Sequence, residues 1–186
     1  MSINNLKNYL LISTPGLNDS IFRKSIILIC DHDENGAMGL ILNKPIISEK
    51  NTSSVFKVIF EDMKIDSKIY FGGPVSLQSC FVLHDHSYLC KDTIKISKNI
   101  SLTSNNEIID DIKNNIGPDN YKINMGYDGW DKGQLENEIK NGDWLILPVP
   151  DNFESIFSTN DDEKWDVYSS LVGMSLDDLS GKPGQA

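Results

Sequence analysis

A chain of 186 residues and 20.9 kDa has enough material for one well-buried core and too little for two comfortable ones, so a single domain spanning 1–186 is expected. Its net charge of −10 is lopsided: residues 1–93 carry 9 Lys/Arg against 10 Asp/Glu, and residues 94–186 carry 8 against 17. That balance argues against direct nucleic-acid binding, which Lys/Arg clusters normally lead, and no apolar run approaches the ~20 residues that cross a bilayer.

In chain order, YLLIS (9–13) reads as a short strand punctuated by Pro15-Gly16. SIILIC (25–30) is a continuous apolar, β-branched run, the pattern of a buried strand, and MGLILN (38–43) is a second one, ended by Pro45. In SVFKVIFEDM (54–63), Val55, Ile59 and Met63 recur at helical spacing. Strand signals return at KIYFGG (68–73) and SCFVLH (79–84), and DTIKIS with ISLTSN flank Lys98-Asn99 as a hairpin. Residues 106–117 read as a helix stopped by Gly117-Pro118, and YKINMGY (121–127) as an alternating strand. A glycine-broken turn carrying Trp130 then leads into a helix over 133–142, with Asp131 and Gln134 at capping-box spacing. DWLILPV (143–149) is a further strand, and 163–174 a closing helix with Trp165, Tyr168, Leu171 and Val172 on one face. Helices and strands interleave, but several connections are hairpin-short, which favours α+β with a mixed sheet over a doubly wound parallel one.

The segment CDHDENGAMGLILNKP (30–45) imitates the front half of a calcium loop, with Asp31, Asp33, Asn35 and Gly36 on D-x-[DN]-x-[DN]-G. Position twelve, where calcium needs a bidentate Glu, is Leu42, and the flanks are strands rather than helices. The stretch reads as a hairpin turning over Asp33-Glu34-Asn35-Gly36, with Asn-Gly suited to positive φ. Cys30-x-His32 and His84-x-His86 with Cys90 supply zinc-type ligands without a zinc-type spacing, so no metal and no cofactor are expected. The odd cysteine count, in apolar surroundings and without C-x-x-C, reads as free thiols of a reducing compartment. With an N-terminus too weakly apolar and too weakly charged for a signal peptide, the expected location is the cytoplasm. There is no nucleophile elbow and no P-loop; Gly72-Gly73-Pro74 is a tight turn alone, and carboxylates around 126–139 would resist a phosphate there.

Three blocks, LISTPGLNDSIFRKSIILICDHDENGAMGLILNKP, FGGPV and MGYDGWDKGQLENEIKNGDWL, together resemble the AlgH/YqgE-like family of bacterial proteins, from about Tyr9 onward. The closing SGKPGQA is similar to that family's Gly-rich tail, where a His often stands in place of Gln185. The resemblance implies a compact domain whose mixed, largely antiparallel sheet curves into a pseudo-barrel with flanking helices. It implies no agreed activity, catalytic residue or metal, and carries a transcriptional-regulator label that comes from a regulatory association of one member. The chain departs from the family at Asp128, where a small residue is usual, and at Gly142-Asp143, where Asn-Ala is common.

The matching residues that could meet a ligand or partner are Asn43, Lys44, Gly72, Gly73, Trp130, Gln134 and Glu136. Two readings stand for the polar ones: they anchor neighbouring loops, or they line a pocket shared by the first and third blocks. The first suits a non-enzymatic regulatory or accessory protein acting through protein or small-ligand contacts. The second suits a hydrolase or ligand-binding enzyme, with His84 as a further candidate.

Overall fold

A computed structural model describes residues 5–46 and 67–173. The order is β1 (Tyr9–Ser13), β2 (Ile26–Asp33), β3 (Gly36–Ile41), β4 (Ile69–Phe71), β5 (Val75–Asp85), β6 (Thr93–Lys95), β7 (Ile100–Thr103), α1 (Glu107–Lys113), β8 (Tyr121–Asp131), α2 (Gln134–Lys140), β9 (Trp144–Pro148), α3 (Ser155–Ser158) and α4 (Asp161–Leu171). The strands form one curled sheet in the order β6-β7-β5-β8-β3-β2-β1-β9; β4 adds to β8 in parallel and every other pairing is antiparallel. This is the expected α+β half-barrel. The helix read over 54–63 lies outside the described residues, and no described helix is long and apolar enough to cross a membrane.

Residues 10–12, 26–30 and 40–41 of the central strands are apolar at every position because both faces of the curled sheet are covered there. Leu10, Ile12, Leu28 and Leu40 face a core closed by Trp165 and Tyr168 of α4 and Ile156 of α3. Their neighbours Leu11, Ile27, Ile29 and Ile41 face a second core, with Trp130, Leu135 and Trp144. A third packs Ile108, Ile109 and Ile112 of α1 on Ile123 and Met125. Burying a β-branched or Leu side chain from both faces contributes about 1.5–3 kcal/mol each.

Three local readings are corrected. Residues 126–131 are not a turn: β8 runs unbroken to Asp131, and its last four residues pair with β3. Glycines read as breakers are there because backbones cross closely. Gly126 sits at φ +70°, and a Cβ there would lie 2.3 Å from the Gly73 carbonyl oxygen. The β2–β3 turn is tightened to Glu34-Asn35, and Asn35 does not take positive φ. Instead the Asp33 carboxylate accepts the Asn35 backbone N–H at 2.7 Å, and Gly36 is needed because a Cβ would meet the Trp130 carbonyl oxygen at 2.1 Å. Finally, α1 ends at Lys113, ahead of Gly117-Pro118, and Asn115, just past its C-cap Asn114, takes the left-handed conformation (φ 58°) that Asn tolerates.

The crossing gives a sharp prediction. Gly126→Ala should abolish soluble folding or lower the melting temperature by more than about 10 °C, since strained φ and a backbone clash add. Gly133→Ala, at φ +75° with nothing within 4 Å of the added carbon, should cost only about 1–2 kcal/mol. Circular-dichroism melts of the two variants separate clash from strain.

Candidate functional site

The first and third sequence blocks meet, and most of their polar side chains are spent on holding the junction. His32 lies on the extension of β2 and is 4% exposed. Its Nδ1 accepts the Leu6 backbone N–H at 2.9 Å, which leaves the proton on Nε2 to donate to Glu136 at 3.1 Å. Glu136 is therefore engaged by a buried imidazole from the opposite block. Gln134 closes half of the expected capping box: its Oε1 accepts the Asp131 backbone N–H at 3.0 Å, while the N-cap position is Gly133, in left-handed geometry. Its Nε2 donates to Glu138 at 2.9 Å.

Glu138 is the organiser that motif reading passes over. Its Oε2 accepts both the Trp130 and Trp144 indole N–H groups, at 2.8 and 2.9 Å. One carboxylate thus ties α2 to β8 and β9. The sequence signal was the i, i+4 pairing of Gln134 with Glu138, read only as part of an acidic surround.

Asn43 and Lys44 serve the loop that precedes β2. The Asn43 Oδ1 accepts the Ile26 N–H at 2.9 Å, and its Nδ2 donates to the Lys24 carbonyl at 2.8 Å. The Lys44 ammonium donates to the Ile21 carbonyl, and burial pulls its pKa below the usual lysine range against the pull of Asp19 and Asp128. Gly72 and Gly73 complete the crossing with β8: the Gly72 N–H donates to Met125 and its carbonyl accepts from Ile41, both at 2.9 Å. His84 is a core histidine; Nδ1 donates to the Asp85 carbonyl at 2.7 Å, and Nε2 accepts from Thr103 at 2.9 Å. Burial lowers its pKa, consistent with the neutral ring these partners require. Cys30, Cys80 and Cys90 are free thiols. Among the described residues, no group of three or more His, Cys, Asp and Glu side chains is placed to hold a metal ion.

Among the described residues, two clefts bear on the candidate site. One, of about 500 Å³, lies over the β2–β3 turn and the end of β8, among Asp31, Asp33, Met38, Tyr127, Trp130 and Asp131. Of the candidates, only Trp130 lines it, so Asn43, Lys44, Gln134 and Glu136 do not converge on that cleft. The larger, of about 770 Å³, is bounded by residues 14–20, by Arg23 and Lys24, and by Trp165 of α4. Arg23-Lys24 is the only adjacent basic pair in the chain. Asn43 and Lys44 act behind this cleft, on the loop that forms its wall.

An AlgH-like family model matches residues 10–177. A UPF0301 protein of Cupriavidus pinatubonensis is 33% identical over 188 residues, covering 98% of this chain and 96% of that relative. A UPF0301 protein of Shewanella oneidensis is 32% identical over 186 residues, covering 97% and 98%. The solution structure of AlgH from Pseudomonas aeruginosa superposes with a TM-score of 0.75 at 29% identity, covering 100% of this chain and 98% of that one. A crystal structure from Corynebacterium diphtheriae shares the fold, with a TM-score of 0.68 at 22% identity over 94% of this chain and 90% of that one. With a family model matched over residues 10–177 and relatives above 30% identity over nearly the whole chain, the chain belongs to the AlgH-like family.

Proposed function

We propose that this protein is a cytoplasmic accessory or regulatory protein that acts by binding, and that the cleft between the 14–24 loop and α4 is where it binds. The observation that carries the reading is a ligand-sized cleft with a pre-set wall. Its volume of about 770 Å³ lies within the range of small-molecule sites. Its wall is fixed from behind by Asn43 and Lys44, and from within by Asp19, whose carboxylate accepts the Ile21 N–H at 2.7 Å. Beneath it, the Trp165 indole N–H donates to the Ser13 carbonyl at 3.0 Å. Pre-ordering of this kind lowers the entropy cost of binding. A regulatory role fits an activity exerted through contact, and the net charge of −10 supports a protein or small molecule over DNA as the contacted species.

The test is an amide-resolved NMR screen of the full chain against a library of charged and neutral metabolites. Binders should shift signals of Thr14 to Lys24 and the Trp165 indole. A screen whose only hits map to the β2–β3 turn, or that gives no hits, refutes the assignment.

A further inference from the structure

We infer that the 14–24 cleft takes a small oxyanion-bearing molecule, a phosphate ester or carboxylate, through Arg23; this rests on the binding reading above and names its ligand class. Arg23 is the only arginine in the chain, and it lines the cleft of about 770 Å³. A planar guanidinium is suited to bidentate recognition of carboxylate or phosphate, which the sixteen lysines are not.

The other charges of the cleft are already committed. Lys24 faces Asp166 at 3.7 Å and lies 5.1 Å above the Trp165 ring. Asp19 turns its carboxylate inward, taking the N–H groups of Ile21 and Phe22 at 2.7 and 3.4 Å, and it lies close enough to Lys44 and Asp128 to bear on their charges. Arg23 forms no ion pair or side-chain hydrogen bond among the described residues. Its own backbone is pinned: its N–H donates to the Asp19 carbonyl at 2.9 Å. The next residue, Lys24, is held at φ 52° with its carbonyl bonded to Asn43. The loop also leaves the N–H groups of Asn18, Asp19 and Ser20 without a partner among the described residues, which adds donors beside the guanidinium. An unpaired cation on a fixed backbone, in a cleft of ligand size, on a protein otherwise strongly acidic, is a selective place for an anion.

The logic also explains why Asn43 and Lys44 are invested where they are. They touch no ligand; they set the loop from which Arg23 projects, and so act as positioning residues.

The test is titration of the full chain at low ionic strength with sodium pyrophosphate and, separately, sodium succinate, read by amide NMR and the Trp165 indole signal. Saturable shifts confined to Gly16 to Lys24 and Trp165 are expected with at least one of them, and the better anion tells phosphate from carboxylate chemistry. Arg23→Gln should weaken binding by about tenfold or more, with Arg23→Lys intermediate and Lys98→Gln unchanged. Equal affinity for Arg23→Gln, shifts mapping elsewhere, or no saturable shift with either anion overturns the proposal. If neutral or cationic library compounds still move the cleft signals while both anions do not, the anion assignment falls and the binding site stands. If nothing moves them, both fall.

Discussion

Asp161→Ala is expected to be among the most destabilising single changes outside the glycine crossing, lowering stability by about 3–5 kcal/mol. The Asp161 carboxylate is shared by the buried Lys122, the exposed Lys68 and the buried Tyr70 hydroxyl. It accepts from Lys122 at 3.2 Å, and from Lys68 and the Tyr70 hydroxyl at 3.1 Å each. Lys122 is 2% exposed, and its ammonium rests 3.7 Å from the Tyr70 ring centroid. Without the carboxylate, a buried ammonium keeps only an aromatic face. The neighbouring Lys164, fully buried and donating to the Ile156 carbonyl at 2.8 Å, is already pushed down to about 7 by burial and the Lys122 charge. Lys122→Met added to Asp161→Ala should recover a large part of the loss, because it removes the stranded charge.

Burial alone would raise the Asp161 carboxyl; the Lys122 charge and the Lys68 and Lys122 hydrogen bonds outweigh it and hold its pKa below the usual carboxylate range. A depressed folded pKa contributes stability above the unfolded value of 3.8 that is lost as pH falls through the folded value. The wild type should therefore lose stability in that acid window, and Asp161→Ala should lack this step. Thermal melts should show a drop of roughly 10 °C at neutral pH; a variant within 2 °C of wild type, on the order of 1 kcal/mol, would sink the assignment.

Asp128→Asn should do the opposite at neutral to alkaline pH. Asp128 is 3% exposed, and its Oδ2 has no hydrogen-bond partner. Burial, then the Glu138 and Asp19 charges, push its pKa up to about 8, against the pull of Lys44. A raised folded pKa means the native state holds a proton that the unfolded chain has released. The stability it contributes is full below 3.8, declines as pH rises through the interval, and is gone above about 8. The slope is about 1.4 kcal/mol per pH unit. Asn mimics the neutral carboxyl and does not ionise, so the variant's advantage over wild type should grow from about 1.6 kcal/mol near pH 5 to several kcal/mol near pH 8.5. Urea unfolding at the two pH values decides it; parallel curves for the two proteins would refute the buried neutral acid.

These two carboxylates show where sequence reading stopped. The departure at Asp128 was visible as a charge in an unusual place, but not that it would be buried and unpartnered. Asp161 was passed over, just ahead of the helix read over 163–174; it is one of three acids in the first turn of α4, a setting that favours anions by itself. Nothing local links it to Lys122, 39 positions away. The strands of the first block were legible because IILIC and MGLIL are apolar throughout, and only strands covered on both faces tolerate that. The end of β8 was read as a turn because Gly126 and Gly129 are breakers in isolation; Gly126 becomes a necessity because the Gly73 backbone passes within contact, whereas a Cβ at Gly129 would meet only side chains.

By itself the sequence determined the family, the α+β class, most strand positions, and the hairpin between β2 and β3. It also supplied Asn43, Lys44, Gln134 and Glu136 as polar residues set apart from the glycines and prolines around them. Only the tertiary structure decided what those residues touch: His32 on Glu136, two indoles on Glu138, and the Arg23 loop on Asn43 and Lys44. The physical reason is that apolar periodicity is a local signal, repeated along each strand. A hydrogen-bond partner contributed from a distant position is chosen by how the sheet curls, and leaves no periodic trace in the chain.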